Sequence, residues 1–210
     1  MPTLFPPSHF DDWADSYDKE VSFDSGFPFY GYANVLKTIL DLSAAGKGDS
    51  VLDLGIGTGN LASLFAKRGC VIWGLDFSGP MLEKARVKLP NAILGQTNIA
   101  GYWPATFQRR YDRIISAYTF HHFPMEEKVK LVGRLLNENL IPNGRLIIGD
   151  IAFKNAKDED DLRRPMGDEW EQEYYWLADE TILELQAIEI TVHFTKISSC
   201  AGVFHFNLQN

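Results

Sequence analysis

The sequence predicts an α/β protein with a doubly wound, mostly parallel sheet, and three observations carry that prediction. Apolar runs alternate with helical patterns along most of the chain, which is the order a parallel sheet with crossover helices requires. The first of these runs ends in three glycines at alternate positions, with a helix pattern directly after them. The chain then closes on two strand-like segments, 188–197 and 201–208, joined by a short Ser-Ser-Cys-Ala turn, which reads as an antiparallel hairpin.

The elements follow in order. Phe10, Trp13, Ala14, Tyr17 and Val21 recur at helical intervals and predict an amphipathic helix. Gly26 and Pro28 break it, and Val35, Leu36, Ile39 and Leu40 give the apolar face of a second helix over 32–42. Val51, Leu52 and Leu54 read as a buried parallel strand leading to Gly55, Gly57 and Gly59. Leu61, Ala62, Leu64, Phe65 and Ala66 then form a helix face. A second strand, 71–75, ends at Asp76. Ser78 is the expected N-cap of the next helix, with Pro80 in its first turn and Met81, Leu82 and Ala85 facing inward. Residues 92–94 predict a short third strand, 95–110 a loop, and 112–117 a fourth strand. A helix is expected over 126–140, a Pro-Asn-Gly turn at 142–144, and a fifth strand over 145–149. The charge run 157–161 reads as a solvated loop or helix start, and 169–187 as one helix.

Composition narrows the class. At 210 residues the expectation is a single domain over 1–210, with a helical N-terminal part (1–45) ahead of the sheet-bearing core (46–210). No apolar run is long enough for a membrane span, and the first residues lack the features of a secretory signal. Cys70 and Cys200 stand far apart, with Cys70 expected as a small core residue. These features together predict a cytoplasmic protein. The net charge of −8 and the absence of a Lys/Arg cluster disfavour nucleic acid as a partner.

The glycine spacing selects the ligand. A dinucleotide fingerprint needs G-x-G-x-x-G, and counting from Gly55 its last position is Asn60. The pattern here is Asp-x-Gly-x-Gly-x-Gly, from Asp53 to Gly59. Asp76 follows Gly55 by 21 positions, near the ~20 expected of a ribose-binding acid. This pairing, with the Asp-Phe-Ser-x-x-Met-Leu segment from Asp76, resembles class I S-adenosylmethionine-dependent methyltransferases. The resemblance extends to 111–123 (Tyr-Asp-Arg-Ile-Ile-Ser-Ala-Tyr-Thr-Phe-His-His-Phe) and to 135–150. The Trp-Ala-x-x-Tyr-Asp start at 13–18 is similar to the N-terminal lid of small bacterial members. Glu173-Tyr174-Tyr175 is similar to a segment in one branch of them, whose acceptors are uncharacterised.

The resemblance implies a seven-stranded Rossmann-like methyltransferase sheet with a C-terminal antiparallel hairpin and N-terminal lid helices. It also implies S-adenosylmethionine as cofactor, while the acidic charge and small size point to a small-molecule acceptor. Gly55, Gly57 and Gly59 would pass under the methionine and ribose, Asp53 would fix the methionine amino end, Asp76 the ribose, and Phe77 would pack on the adenine. The family often has Asp where Asn98 aligns; Asn98 and Ile99 would border the adenine. Ala117 and Tyr118 would lie beside the methyl group, and Tyr17 would reach in from the lid. His121 and His122 follow the fourth strand and are the candidates for taking a proton from the acceptor. No further ligands stand at metal-site spacing, so no metal is expected. The residues leave open a protein that binds the cofactor as a sensor or partner subunit without turnover. Asn60 argues against a nicotinamide-dependent reductase, and the acidic charge against an RNA methyltransferase.

Overall fold

The computed structural model describes residues 11, 14–22 and 26–208. Phe10 and Trp13 of the expected first helix lie outside the described residues. The helices are α1 (Tyr17–Ser22), α2 (Tyr32–Ser43), α3 (Asn60–Lys67), α4 (Gly79–Lys88), α5 (Met125–Arg134), α6 (Ala156–Met166) and α7 (Ala178–Gln186). The strands are β1 (Ser50–Leu54), β2 (Val71–Asp76), β3 (Ile93–Gln96), β4 (Tyr111–Ala117), β5 (Leu140–Phe153), β6 (Trp176–Leu177), β7 (Ile190–Lys196) and β8 (Ala201–Leu208).

The sheet runs β3-β2-β1-β4-β5-β8-β7, with β6 paired to β5 off that path. The β3-to-β5 strands are parallel, and β8 is antiparallel to both β5 and β7. The expected seven-strand path is therefore present, with a two-residue strand added to it. Side chains alternate between the two faces of a sheet, and the core divides accordingly. Leu52, Leu54, Ile114, Leu146 and Phe204 enter one apolar cluster, which Leu131, Val132 and Leu185 of α5 and α7 cover. Val51, Ile72, Ile115, Ile147 and Val203 enter the other, covered by Val35, Ile39, Leu61, Phe65 and Leu82 of α2, α3 and α4. Burial on both faces is why these strands read as continuous apolar runs.

Local chemistry sets the helix starts at the carboxyl edge of the sheet. Ser78 caps α4 by accepting the Met81 N–H at 3.3 Å, with proline in the first turn. Asn155 caps α6 in the same way through Asp158 N–H. The charge run 157–161 is thus a helix start.

Four expectations change. The helix expected over 169–187 exists only in its second half, as α7. Before it come a 3₁₀ turn (Gly167–Glu169) and β6. The reason is burial: Trp176 is sunk against Phe120 and Phe204, its register with Ala152 placing it on the edge of β5. That burial overrides helix propensity. The helix expected over 126–140 ends as α at Arg134, continues as one π turn (Leu135–Asn139), and Leu140 already belongs to β5. The Pro142–Gly144 turn is a bulge inside that strand, between the Tyr111–Leu140 and Arg113–Arg145 pairs, with Asn143 at φ 64°. Cys70 is only half-buried at the sheet's amino edge, whereas Cys200 is buried.

Candidate active site

The glycine loop and the ends of β1, β2 and β4 meet at the carboxyl edge, where open α/β sheets bind ligands. Asp53 is 1 % exposed, and its Oδ2 has no hydrogen-bond partner among the described residues. Burial, and then the neighbouring Asp76 carboxylate, push its carboxyl up to about 8, against the Ala62 N–H that opposes the shift. A cation brought beside this group would favour its ionised form. Asp76 accepts the Gly57 N–H at 2.8 Å and the Ser78 N–H at 2.9 Å. Burial still holds it above the ordinary carboxylate range, although the Ser78, Gly57 and Phe77 N–H groups pull it down. Its oxygens retain lone pairs for further donors.

Two of the glycines serve different ends. Gly55 sits at φ +72°, and a Cβ there would lie 2.1 Å from Thr119 Oγ1, so the loop is pressed against the chain leaving β4. Gly57 sits at φ +53°, and a Cβ would meet nothing within 4 Å. It needs glycine for its left-handed backbone, and it has open space at its Cβ position while its N–H holds Asp76.

The lid side of the site is aromatic. Tyr118 holds φ 53°, rare for a residue with a bulky side chain. Its ring stacks on Tyr32 at 5.3 Å and meets Phe29 at 5.4 Å, while Tyr17 meets Phe29 edge-on at 6.1 Å. Tyr17 thus comes from α1 to the end of β4, and burial raises its phenol well above the usual range. The sequence reading missed its neighbour. Asp18 accepts Thr58 Oγ1–H at 2.5 Å and Asn60 Nδ2–H at 3.0 Å, and pairs with Lys88 Nζ at 3.0 Å. Ser78 also donates to Asp11 at 2.6 Å. The only sequence cue for this clasp was the position of Asp18 at the end of the Trp-Ala-x-x-Tyr-Asp stretch.

The remaining expected contacts are more dispersed. Phe77 is half-buried directly after Asp76, and its carbonyl accepts Gln96 Nε2–H at 2.9 Å. Ala117 is half-buried at the end of β4. Asn98 is exposed, and its Oδ1 already accepts the Ala100 N–H at 2.9 Å, as a loop Asn does. Ile99 is buried, and its carbonyl takes bonds from Trp103 and Arg134.

The histidines form a second, buried cluster. His121 is 6 % exposed; its backbone N–H donates to Asp150 Oδ2 at 2.9 Å, and its Nδ1 lies 2.5 Å from Asp150 Oδ1. His121 Nε2 lies 3.3 Å from Glu173 Oε2, and His122 Nδ1 3.8 Å from Glu173 Oε1. The two rings are 4.0 Å apart. Burial works against a charge on His121, but the Asp150 carboxylate outweighs it and holds the imidazole above its usual value. Asp150 is held correspondingly low, because His121 and Lys128 outweigh its burial. Glu173 is pushed up by burial. Lys128, 1 % exposed, donates to the Tyr174 carbonyl and lies 4.3 Å from the centre of the Trp176 ring, and burial brings its ammonium down to about 7. Asp150 and Lys128 were not singled out by sequence, and Glu173 stood out only as the start of the Glu-Tyr-Tyr segment, with no role attached to it. Asp150 stands late in a parallel strand, as Asp76 does, and that placement was the available signal.

A parallel sheet ending in an antiparallel hairpin, with an acid–glycine loop at its switch point, defines the class I S-adenosylmethionine-dependent methyltransferase fold. Comparison with known proteins agrees. Residues 51–144 match the family described as "Methyltransferase domain". An uncharacterised methyltransferase of Geobacillus sp. (strain WCH70) is 32% identical over 174 residues, covering 81% of this chain and 78% of its own. One from Bacillus licheniformis is 31% identical over 203 residues, covering 89% and 88%. The chain therefore belongs to the S-adenosylmethionine-dependent methyltransferases. Among solved structures, a DhpI–SAM–HEP complex matches with TM-score 0.72 at 18% identity, over 95% of this chain and 94% of that one. The magnesium protoporphyrin IX methyltransferase of Synechocystis PCC 6803 with bound SAH matches with TM-score 0.69 at 17% identity, over 97% and 100%. Both likenesses are of fold. Among the described residues, no helix is long and apolar enough to cross a membrane.

Proposed function

We propose that this methyltransferase transfers the S-adenosylmethionine methyl group to a small-molecule acceptor by in-line substitution. The observation that carries the cofactor assignment is the buried Asp53 oxygen that lacks a partner, next to Asp76 at the glycine loop. In this reading Asp53 faces the cationic amino end of the methionine. Asp76 takes the ribose hydroxyls, Phe77 packs on the adenine, and Asn98 and Ile99 border it. Gly55, Gly57 and Gly59 let the backbone pass beneath the cofactor. Ala117, Tyr118 and Tyr17 line the space beside the methyl group.

The sulfonium leaves as a neutral thioether and needs no protonation. The chain's task is to align the acceptor and exclude water, and alignment alone can supply up to ~7–11 kcal/mol. The aromatic contacts joining α1 and α2 to Tyr118 suit water exclusion. Proton removal from the acceptor falls to the cluster of His121, His122 and Glu173. A small acceptor is supported by the groove of about 470 Å³ that His122 lines with Asn98, Phe123 and Tyr174. The net charge of −8 supports the same reading against nucleic acid.

Thermal melting tests the cofactor. At ~100 times Kd, ligand adds roughly 2.7 kcal/mol of stability, so S-adenosylmethionine and S-adenosylhomocysteine raise the melting temperature and NAD does not. Asp76→Ala weakens their binding roughly 10- to 150-fold, the loss of charge-assisted bonds of ~1.5–3 kcal/mol. Labelled methyl transfer to the dialysable fraction of a cell extract tests the acceptor. Label found only in RNA or protein refutes a small acceptor, and binding without transfer to any fraction marks a sensor.

A further inference from the structure

We infer that His121, His122 and Glu173 form a binding site for a divalent zinc-type ion. Each contributes one ligand atom, and these atoms lie within 4.8 Å of one another. Tetrahedral zinc with bonds of ~2.0–2.2 Å to nitrogen and oxygen needs ligand atoms roughly 3.3–3.5 Å apart. The His121 Nε2–Glu173 Oε2 edge already measures 3.3 Å and the His122 Nδ1–Glu173 Oε1 edge 3.8 Å. The two edges run to different Glu173 oxygens, so binding through one oxygen requires that carboxylate to turn.

The surroundings orient the cluster as a metal site is oriented. The Asp150 carboxylate on His121 Nδ1 directs the opposite nitrogen, Nε2, toward Glu173. A carboxylate behind a ligating imidazole sets its tautomer and raises its basicity. Asp150 is itself fixed, with Oδ2 taking the Trp176 indole N–H at 3.0 Å and Oδ1 the Ile151 N–H at 2.8 Å. Two imidazoles with one carboxylate suit zinc, whereas magnesium and calcium prefer oxygen donors. His122 also lines the groove of about 470 Å³, which gives a route in from solvent. The spacing of ligands along the sequence gave no sign of such a site, because Glu173 lies far from the His-His pair and the fold alone brings it there. The inference rests on the methyl-transfer reading only for its consequence: a bound ion would replace the free histidines as the group that favours loss of the acceptor's proton.

The test uses the full chain, stripped with chelator and titrated with zinc chloride in equilibrium dialysis, with magnesium chloride in parallel. The expected result is about one zinc per chain and no comparable magnesium uptake. His122→Ala and Glu173→Ala are expected to lose the zinc. Asp150→Asn is expected to weaken it by about 10–100-fold. Calorimetry with S-adenosylhomocysteine on each variant reports whether it is folded. Cobalt(II) on the unaltered chain should give the strong visible absorption of a low-coordinate N/O site, a readout independent of any variant. A chain that binds S-adenosylhomocysteine but neither zinc nor cobalt overturns the metal site and leaves the cofactor reading intact. Stoichiometric zinc that survives both ligand substitutions also overturns it. Zinc bound through these residues, with S-adenosylhomocysteine ignored, upholds the metal site and overturns the cofactor reading.

Discussion

Asp53→Asn exchanges a buried carboxyl for a neutral side chain of nearly the same shape. In the folded chain Asp53 titrates at about 8 against an ordinary value of 3.8, because it is buried and faces Asp76. Between those values the folded state holds a proton that the unfolded state has lost. Stability is therefore fully present below pH ~4 and falls as pH rises, by about 1.4 kcal/mol per unit, until the folded group itself ionises. At pH 7 the accumulated deficit is about 4 kcal/mol, a large share of the ~5–15 kcal/mol that holds a domain folded. Asn carries no such deficit and keeps an oxygen for the Ala62 N–H. Asp76, whose carboxyl burial also raises, is present in both proteins, so the difference reads Asp53 together with its coupling to Asp76. Urea unfolding of both, without cofactor, at pH 5, 6 and 7 reads the effect. The stability gap in favour of the Asn variant should widen with each pH unit. A gap that stays constant across that range refutes the argument. The same substitution should weaken S-adenosylhomocysteine binding roughly 10- to 150-fold, for want of a charge-assisted bond of ~1.5–3 kcal/mol. A group that burdens the free protein would then be one the cofactor completes.

Two more predictions concern the loop and the clasp. Gly55→Ala combines a left-handed backbone, at ~1–2 kcal/mol, with overpacking against the stiff Thr119 side chain, at ~1–3 kcal/mol. Denaturant unfolding should show the sum, and adding Thr119→Ala should recover only the packing part; equal loss in single and double variants refutes the contact. Asp18→Ala removes the shared acceptor of Thr58, Asn60 and Lys88. Because Asp18 is half-exposed, the cost should be no more than about 1 kcal/mol, but amide exchange over 17–22 should quicken several-fold, and unchanged exchange would show that the clasp does not hold α1.

The cofactor side of the site was legible because its signals are local. Val51–Gly59 encodes strand, turn and helix start within one stretch, and Ser78 with Pro80 encodes the next helix start. Asp76 could be paired with Gly55 because a βαβ unit has a nearly constant length. The histidine cluster was legible only in part. His121 and His122 stood out as neighbours, but Asp150 comes from β5 and Glu173 from the extended stretch before β6. Neither spacing nor periodicity links them.

The helix expected over 169–187 failed for a related reason. Its residues have ordinary helical preference, but Trp176 gains more by burying its ring against Phe120 and Phe204 and donating its N–H to Asp150. What the sequence by itself determined was therefore the alternation of strands and helices and the glycine–acid cradle, since both arise from residues close along the chain. Only the tertiary structure decided that Asp53 is an unpartnered buried acid, that Asp18 clasps the loop, and that Glu173 meets the two histidines. Burial and long-range pairing are properties of the packed chain, and a local pattern carries no record of them.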